Sequence, residues 1–339
     1  MKQNRIFGLA TSFVLCVLLL TAGCGKPAAE SAQAKVEPKE QKTPVKLALK
    51  FTPAESTSYK VITDIDNSVI WESTDPDKPK GFTGGHTSRK IEMTFTQQIQ
   101  STDDKGNAVA KITIKQLKYL TQLKNKTTMD FDNSRRGDEQ NPLSKLIGQS
   151  YTVQITSSGQ VLKLIDANDA RAAVAGDSDA NETAAGLLSL EAITQRHTIP
   201  ALPASDKNQV LTGGNWSSIK SFSFSMMGSK AYEKIYTLKE IKNVNNRRIA
   251  IARMEAVPSA EYAREQHKQQ SPAFLANMSD NTETYTGELK LDLTGGKVEE
   301  YRENLTTEWL IVDPNPKNST QPAALKMTAV RSYSIEKID

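Results

Sequence analysis

The chain reads as a mainly β, β-rich α+β protein: an antiparallel, strongly curved sheet or half-barrel built from two similar halves with a few short helices. Three observations predict it. Apolar residues recur with period two through most of the chain after Lys46. Turn chemistry rich in Gly, Asn, Asp and Ser separates those runs. Helices are a minority and cluster in the middle of the sequence, so the strands must pair with one another directly.

The N-terminus carries a short leader. Lys2 and Arg5 form a basic n-region, Ile6 to Leu20 is almost wholly apolar, and Ala22-Gly23 supply small residues before Cys24. Leu20-Thr21-Ala22-Gly23-Cys24 resembles a bacterial lipobox. That resemblance implies a signal peptide over 1–23, cleavage between Gly23 and Cys24, and lipidation of Cys24 as a membrane anchor. Residues 24–45 mix Pro, Ala, Glu, Lys and Gln without apolar periodicity and read as a disordered tether.

A first β-rich half with a helical insert is expected over 46–205. Ile91, Met93, Phe95 and Ile99 alternate with polar residues into the turn Asp103-Asp104-Lys105-Gly106-Asn107, and the strand returns through Ala110, Ile112 and Ile114. Tyr151, Val153 and Ile155 lead through Ser157-Ser158-Gly159 to Val161, Leu162 and Leu164, a second hairpin. Asn141-Pro142 supplies a cap and a first-turn proline for a short helix stopped by Gly148. A further helix is expected over Asp169 to Val174, and one from Glu182 to His197 before Pro200 and Pro203. These helices are expected to cover one face or end of the sheet.

The second β-rich half is expected over 206–339. Tyr232 to Ile241 and Arg248 to Val257 flank Asn243-Val244-Asn245-Asn246. Tyr285, Gly287, Leu289, Leu291 and Leu293 run into Thr294-Gly295-Gly296, and the return strand alternates Tyr301, Glu303, Leu305, Thr307, Trp309 and Ile311. Leu325 to Ile335 is the last strand, and a short helix is expected near Pro272 to Met278. The turns after Ile155 and Leu293 look like one element used twice, which suggests an internal duplication.

Composition removes several classes. The 43 basic and 39 acidic residues nearly cancel, and loss of Lys2 and Arg5 with the leader brings the balance closer to neutrality. No nucleic-acid partner is expected. Of the 2 cysteines, Cys16 lies in the leader and Cys24 would be acylated, so packing rather than disulfides must hold the fold. Nucleophile elbows, zinc-protease helices and phosphate loops are absent from the sequence, so no catalytic residue, cofactor or metal site is assigned. His86, His197 and His267 stand apart and read as surface or helix-end residues. Asp130 to Gly137 reads as a solvated loop with a local ion pair, because Arg135 takes the glycine position of a calcium loop.

Trp216, Phe222 and Phe224 follow Gly213-Gly214-Asn215 at strand spacing and either pack as core that plugs the sheet or, as the candidate lining, face an apolar pocket. Leu47-Ala48-Leu49-Lys50-Phe51-Thr52-Pro53-Ala54-Glu55 as an opening strand, with this later Gly-Gly-Asn-Trp, resembles an uncharacterised bacterial lipoprotein family. The architecture also resembles the half-barrels of lipoprotein carriers. With no catalytic motif found, a non-enzymatic cell-envelope lipoprotein is expected, and Gly25 rather than Asp after Cys24 fits the outer membrane facing the periplasm if the cell is Gram-negative. Its partners would be the membrane, through Cys24, and either an apolar ligand or an envelope protein in the concave face. Scaffolding with a filled core is the alternative, and a hydrolase with a dispersed site is a third.

Overall fold

The computed structural model describes residues 43–72, 84–224, 227–259, 279–312 and 324–338. The expected leader, Cys24, residues 24–42 of the expected tether, the expected helix near Pro272 to Met278, and His267 lie outside the described residues; at the end of the expected tether Val45 is buried and pairs with Val210.

Among the described residues, twelve strands form one antiparallel sheet that is not closed into a barrel. In chain order, β1 is Val45–Lys46, β2 Ser56–Glu72, β3 Gly85–Thr102, β4 Ala108–Leu123, β5 Lys126–Asp132, β6 Ser150–Ile155 and β7 Val161–Asp166. After the helices follow β8 Gln209–Val210, β9 Asn215–Ser223, β10 Ser229–Val244, β11 Arg247–Pro258, β12 Ser279–Asp292, β13 Lys297–Val312 and β14 Ala324–Lys337. The large sheet runs β7-β6-β4-β3-β2-β14-β13-β12-β11-β10-β9, with β5 also on β4. The meander therefore proceeds outward from β2 and back inward to β14, and those two strands seal its centre from Ala324↔Glu72 to Lys337↔Tyr59. β1 and β8 form a separate two-stranded pair.

Turn chemistry fixes the registers. Asp103 accepts from the backbone N–H groups of Lys105 and Asn107 at 3.0 and 2.8 Å, which closes the β3–β4 turn. Asn245 and Asn246 both have positive φ, 48° and 61°, the pattern whose twist matches a two-residue hairpin between β10 and β11. In the β12–β13 turn Gly296 has φ +64°, and a methyl there would sit 2.5 Å from the Lys50 backbone nitrogen. Only glycine meets both demands.

Residues 47–55, expected as an opening strand, make no regular ladder. They form an extended segment instead: Leu47 N donates to Asn208 O at 2.8 Å, Leu49 N to Ser157 O at 2.7 Å and Lys50 N to Gly296 O at 2.9 Å. Leu49 and Lys50 thus tie together the two turns that look alike in sequence, while at the far end of the segment Ala54 N donates to Ile99 O of β3 at 2.8 Å.

The helix expected from Glu182 to His197 is two helices. α1 is Asn168–Ala173, α2 Asp179–Leu187 and α3 Leu190–His197. Ser189 breaks the run because its side chain accepts from Ala192 N at 3.1 Å, satisfying a first-turn donor and making it the N-cap of α3. Pro142–Leu146 is a 3₁₀ helix capped by Asn141, whose side chain accepts from Leu143 N. Leu143, Leu146, Ala170, Ala184, Leu187 and Ile193 from these elements join Phe95, Ile112, Tyr151 and Val153 in the core. The helices therefore fill the concave side of the first half.

The second half curls on itself. β9 and β13 are four places apart in the sheet, roughly 19 Å if it were flat. Yet Lys220 Nζ of β9 lies 2.9 Å from Glu303 Oε1 of β13, and the rings of Phe224 and Trp309 are 5.1 Å apart. Such contacts across the concavity require strong curvature.

Candidate functional site

Antiparallel partners directly opposite each other point to the same face, so the register builds the concave floor row by row. One row is Arg331, Ile65 and Arg89 across β14, β2 and β3. The next is Glu303, Tyr333, Thr63, Ile91 and Tyr119 from β13 to β4. A third is Tyr301, Ile335, Val61, Met93 and Leu117. Val61 and Met93 are 3% and 1% exposed, whereas Arg89 is exposed, so the floor grades from cationic to buried and apolar.

Above this floor lies a cleft of about 1150 Å³. Its sheet wall includes Val61, Ile65, Arg89, Ile91, Met93, Tyr119, Arg331 and Tyr333; α2 and α3 contribute Asp179, Glu182, Leu187, Glu191 and Arg196; the β9 edge adds Lys220 and Phe222. The helix wall is held down where Tyr333 Oη donates to Arg196 O at 2.9 Å. The volume slightly exceeds the roughly 300–1,000 Å³ of small-molecule pockets.

Among the aromatic residues singled out from sequence, Phe222 lines the cleft. Phe224 is buried against Trp309 and Phe222, with the Arg331 guanidinium 5.5 Å above its ring. Trp216 stacks on Tyr236 at 5.6 Å and donates Nε1–H to Ala201 O at 3.0 Å, so it anchors edge strand β9 to the segment after α3. The three residues are brought into one half of the molecule but do not share one wall.

The end of the cleft under β9 meets a buried charge cluster. Glu303 accepts from Lys220 at 2.9 Å, Lys234 at 3.1 Å and the Tyr301 hydroxyl at 2.5 Å. Burial alone would push its carboxyl up; the two ammonium groups and the tyrosine override that and hold it at about 2. Burial pulls Lys234 down from the ordinary lysine range, opposed by Glu303. Burial, then the Glu303 charge, raises the hydroxyls of Tyr236, Tyr285 and Tyr301. Tyr285 Oη and Thr307 Oγ1 are buried with no hydrogen-bond partner among the described residues. Sequence reasoning missed this cluster, although Lys234 and Glu303 stand in the inward phase of their strands, which is the signal that could have found it.

His197 is at a helix end, as expected, but it is buried rather than on the surface. Arg196 Nη1 donates to Tyr151 Oη at 3.0 Å, so the Tyr151 proton is free to point at His197 Nε2, 2.7 Å away. His197 is then a neutral acceptor, and burial followed by the Arg196 charge keeps its basicity well below the ordinary value. His86 pairs with Asp66 between β3 and β2. In the Asp130 to Gly137 loop Arg135 bridges Asp130 and Asp138 at 2.9 and 2.7 Å, and Ser134 holds the Asp132 carboxyl at about 2.

No family model matches the chain, and no curated protein matches it. Among solved structures, lipovitellin, in a study of its lipid–protein interactions, aligns at TM-score 0.40 and 10% identity over 86% of this chain and 26% of its own. DynF of the dynemicin biosynthesis pathway of Micromonospora chersina aligns at TM-score 0.18 and 5% identity over 93% and 94% of the two chains. A β-barrel-like protein of unknown function from Brucella abortus gives 0.21 and 8% over 86% and 100%. The chain thus spans about a quarter of lipovitellin, and none of these alignments is close enough to assign a ligand or an activity. The β class of the fold rests on its own strand order and register.

Proposed function

We propose that this protein is a membrane-anchored envelope lipoprotein that binds an apolar or amphiphilic ligand without catalysis. The observation that carries the reading is the cleft of about 1150 Å³ over a concave floor whose deep end is apolar, with Ile91, Met93 and Val61 along it. A lipobox-like leader supports anchoring through Cys24, and a tether would hold the β-rich body near the bilayer. The likeness of turns between the two halves supports a duplicated origin.

A second reading, an envelope scaffold, draws support from the filled part of the concavity: the helices pack the first half and the Glu303 cluster plugs the second. Native mass spectrometry of the purified full-length protein separates the two. A reproducible bound amphiphile is expected, lost in Ile91→Trp, which fills the floor. No bound species, together with no uptake of an apolar fluorescent probe, would leave the scaffold.

A further inference from the structure

The charge pattern of the cleft says more about its occupant than its volume does. Arg331 and Arg89 flank Ile65 in one row, their Cα atoms two strand spacings or roughly 10 Å apart, with both side chains on the concave face. Arg331 donates to Asp66 O at 3.1 Å, Val330 O at 2.8 Å and Asn67 Oδ1 at 2.8 Å, which fixes the guanidinium without neutralising it. Those three bonds leave two of its five N–H donors. Neither arginine has a carboxylate within ion-pair distance among the described residues. Burial disfavours the charge on Arg331; the Asp66 carboxylate opposes this, and Arg89 adds a smaller repulsion. Across the gap, Asp179, Glu182 and Glu191 on the helix wall form no ion pair with them among the described residues. Acidic side chains there disfavour an anion on the helix wall.

We propose that Arg89 and Arg331 form an anion subsite at the mouth of the cleft, so that its occupant is an anionic single-chain amphiphile. This rests on the ligand-binding reading above. The carboxylate or phosphate sits over Ile65 within reach of both guanidinium groups, and the acyl chain runs over Thr63 and Ile91 toward Val61 and Met93. Polarity along the floor falls in that direction, and a charge-assisted pair at the mouth fixes which end enters first.

Binding of hexadecanoate, hexadecanol and inorganic phosphate to the full-length protein, measured by displacement of a fluorescent probe, tests this. Hexadecanoate should bind about tenfold or more tightly than hexadecanol. Arg331→Gln should erase most of that preference. Arg89→Gln, at an exposed position, should reduce it. Equal affinity of acid and alcohol for the wild type would overturn the anion subsite while leaving an apolar cleft. Phosphate competing as well as hexadecanoate would overturn the amphiphile. Binding of neither chain would overturn the ligand reading itself.

Discussion

Replacing Glu303 by Gln removes the only carboxylate that meets Lys234 among the described residues, and its cost can be worked from the structure. The side chains of Lys234 and Glu303 are 1% and 3% exposed, so water cannot take over the lysine's charge when the carboxylate goes. Breaking a buried pair by deleting one partner costs about 3–5 kcal/mol. The substituted amide keeps the shape and one acceptor oxygen, so the lower end, about 3 kcal/mol, is expected, a large share of a typical domain's roughly 5–15 kcal/mol. Lys220 is 39% exposed and can turn to solvent, so it adds little. Urea unfolding followed by tryptophan fluorescence measures the loss. The double variant Lys234→Met with Glu303→Leu should recover most of it, because an apolar pair of similar volume replaces buried charge at little or no cost. A loss below about 1 kcal/mol in Glu303→Gln, or a double variant as unstable as the single, would refute the reasoning. The pH dependence has a definite sign. A carboxyl held at about 2 contributes stability that is fully present above its unfolded value and is lost as pH falls toward 2, and Glu303→Gln should lack that part of the acid transition.

Gly296→Ala should destabilise by about 2 kcal/mol or more in the same assay, since it combines a left-handed φ with a clash against Lys50, whereas Gly106→Ala, with φ +77° and open space, should cost about 1 kcal/mol. Ala54 adopts φ +67°, so Ala54→Gly should stabilise by about 1 kcal/mol; a loss would show that the alanine methyl is needed. His197 is neutral when folded, so its unfolded form takes up a proton first and stability should fall as pH drops below about 6.5; His197→Gln should flatten the difference between unfolding at neutral and mildly acid pH. Cys24→Ala should abolish incorporation of labelled palmitate and release the protein from membranes, and continued labelling would locate the acyl group elsewhere.

Local chemistry carries much of the fold into view. The β3–β4, β6–β7, β10–β11 and β12–β13 hairpins are legible because alternation and turn residues act over a few positions. Glu182 to His197 reads as one helix because its apolar spacing continues past Ser189, while the capping bond that breaks it belongs to a single side chain. Residues 47–55 alternate like a strand, but the donors of Leu47, Leu49 and Lys50 go to Asn208, Ser157 and Gly296, partners distant in the chain. Phe222 is visible from sequence as a cleft candidate. Arg89 and Arg331 are not, because two ordinary strand arginines near opposite ends of the β-rich body become neighbours only through the registers of β14, β2 and β3.

Period, turn chemistry and composition are enough to establish the β class, the hairpin turns and the helical insert. They do not say that β2 and β14 close the centre of the sheet, that β9 curls back to Glu303, or that a graded cleft opens between floor and helices. Those features depend on which strands become neighbours and how far the sheet coils. Both are set by long-range pairing and by the summed twist of many strands, which no local window of residues encodes.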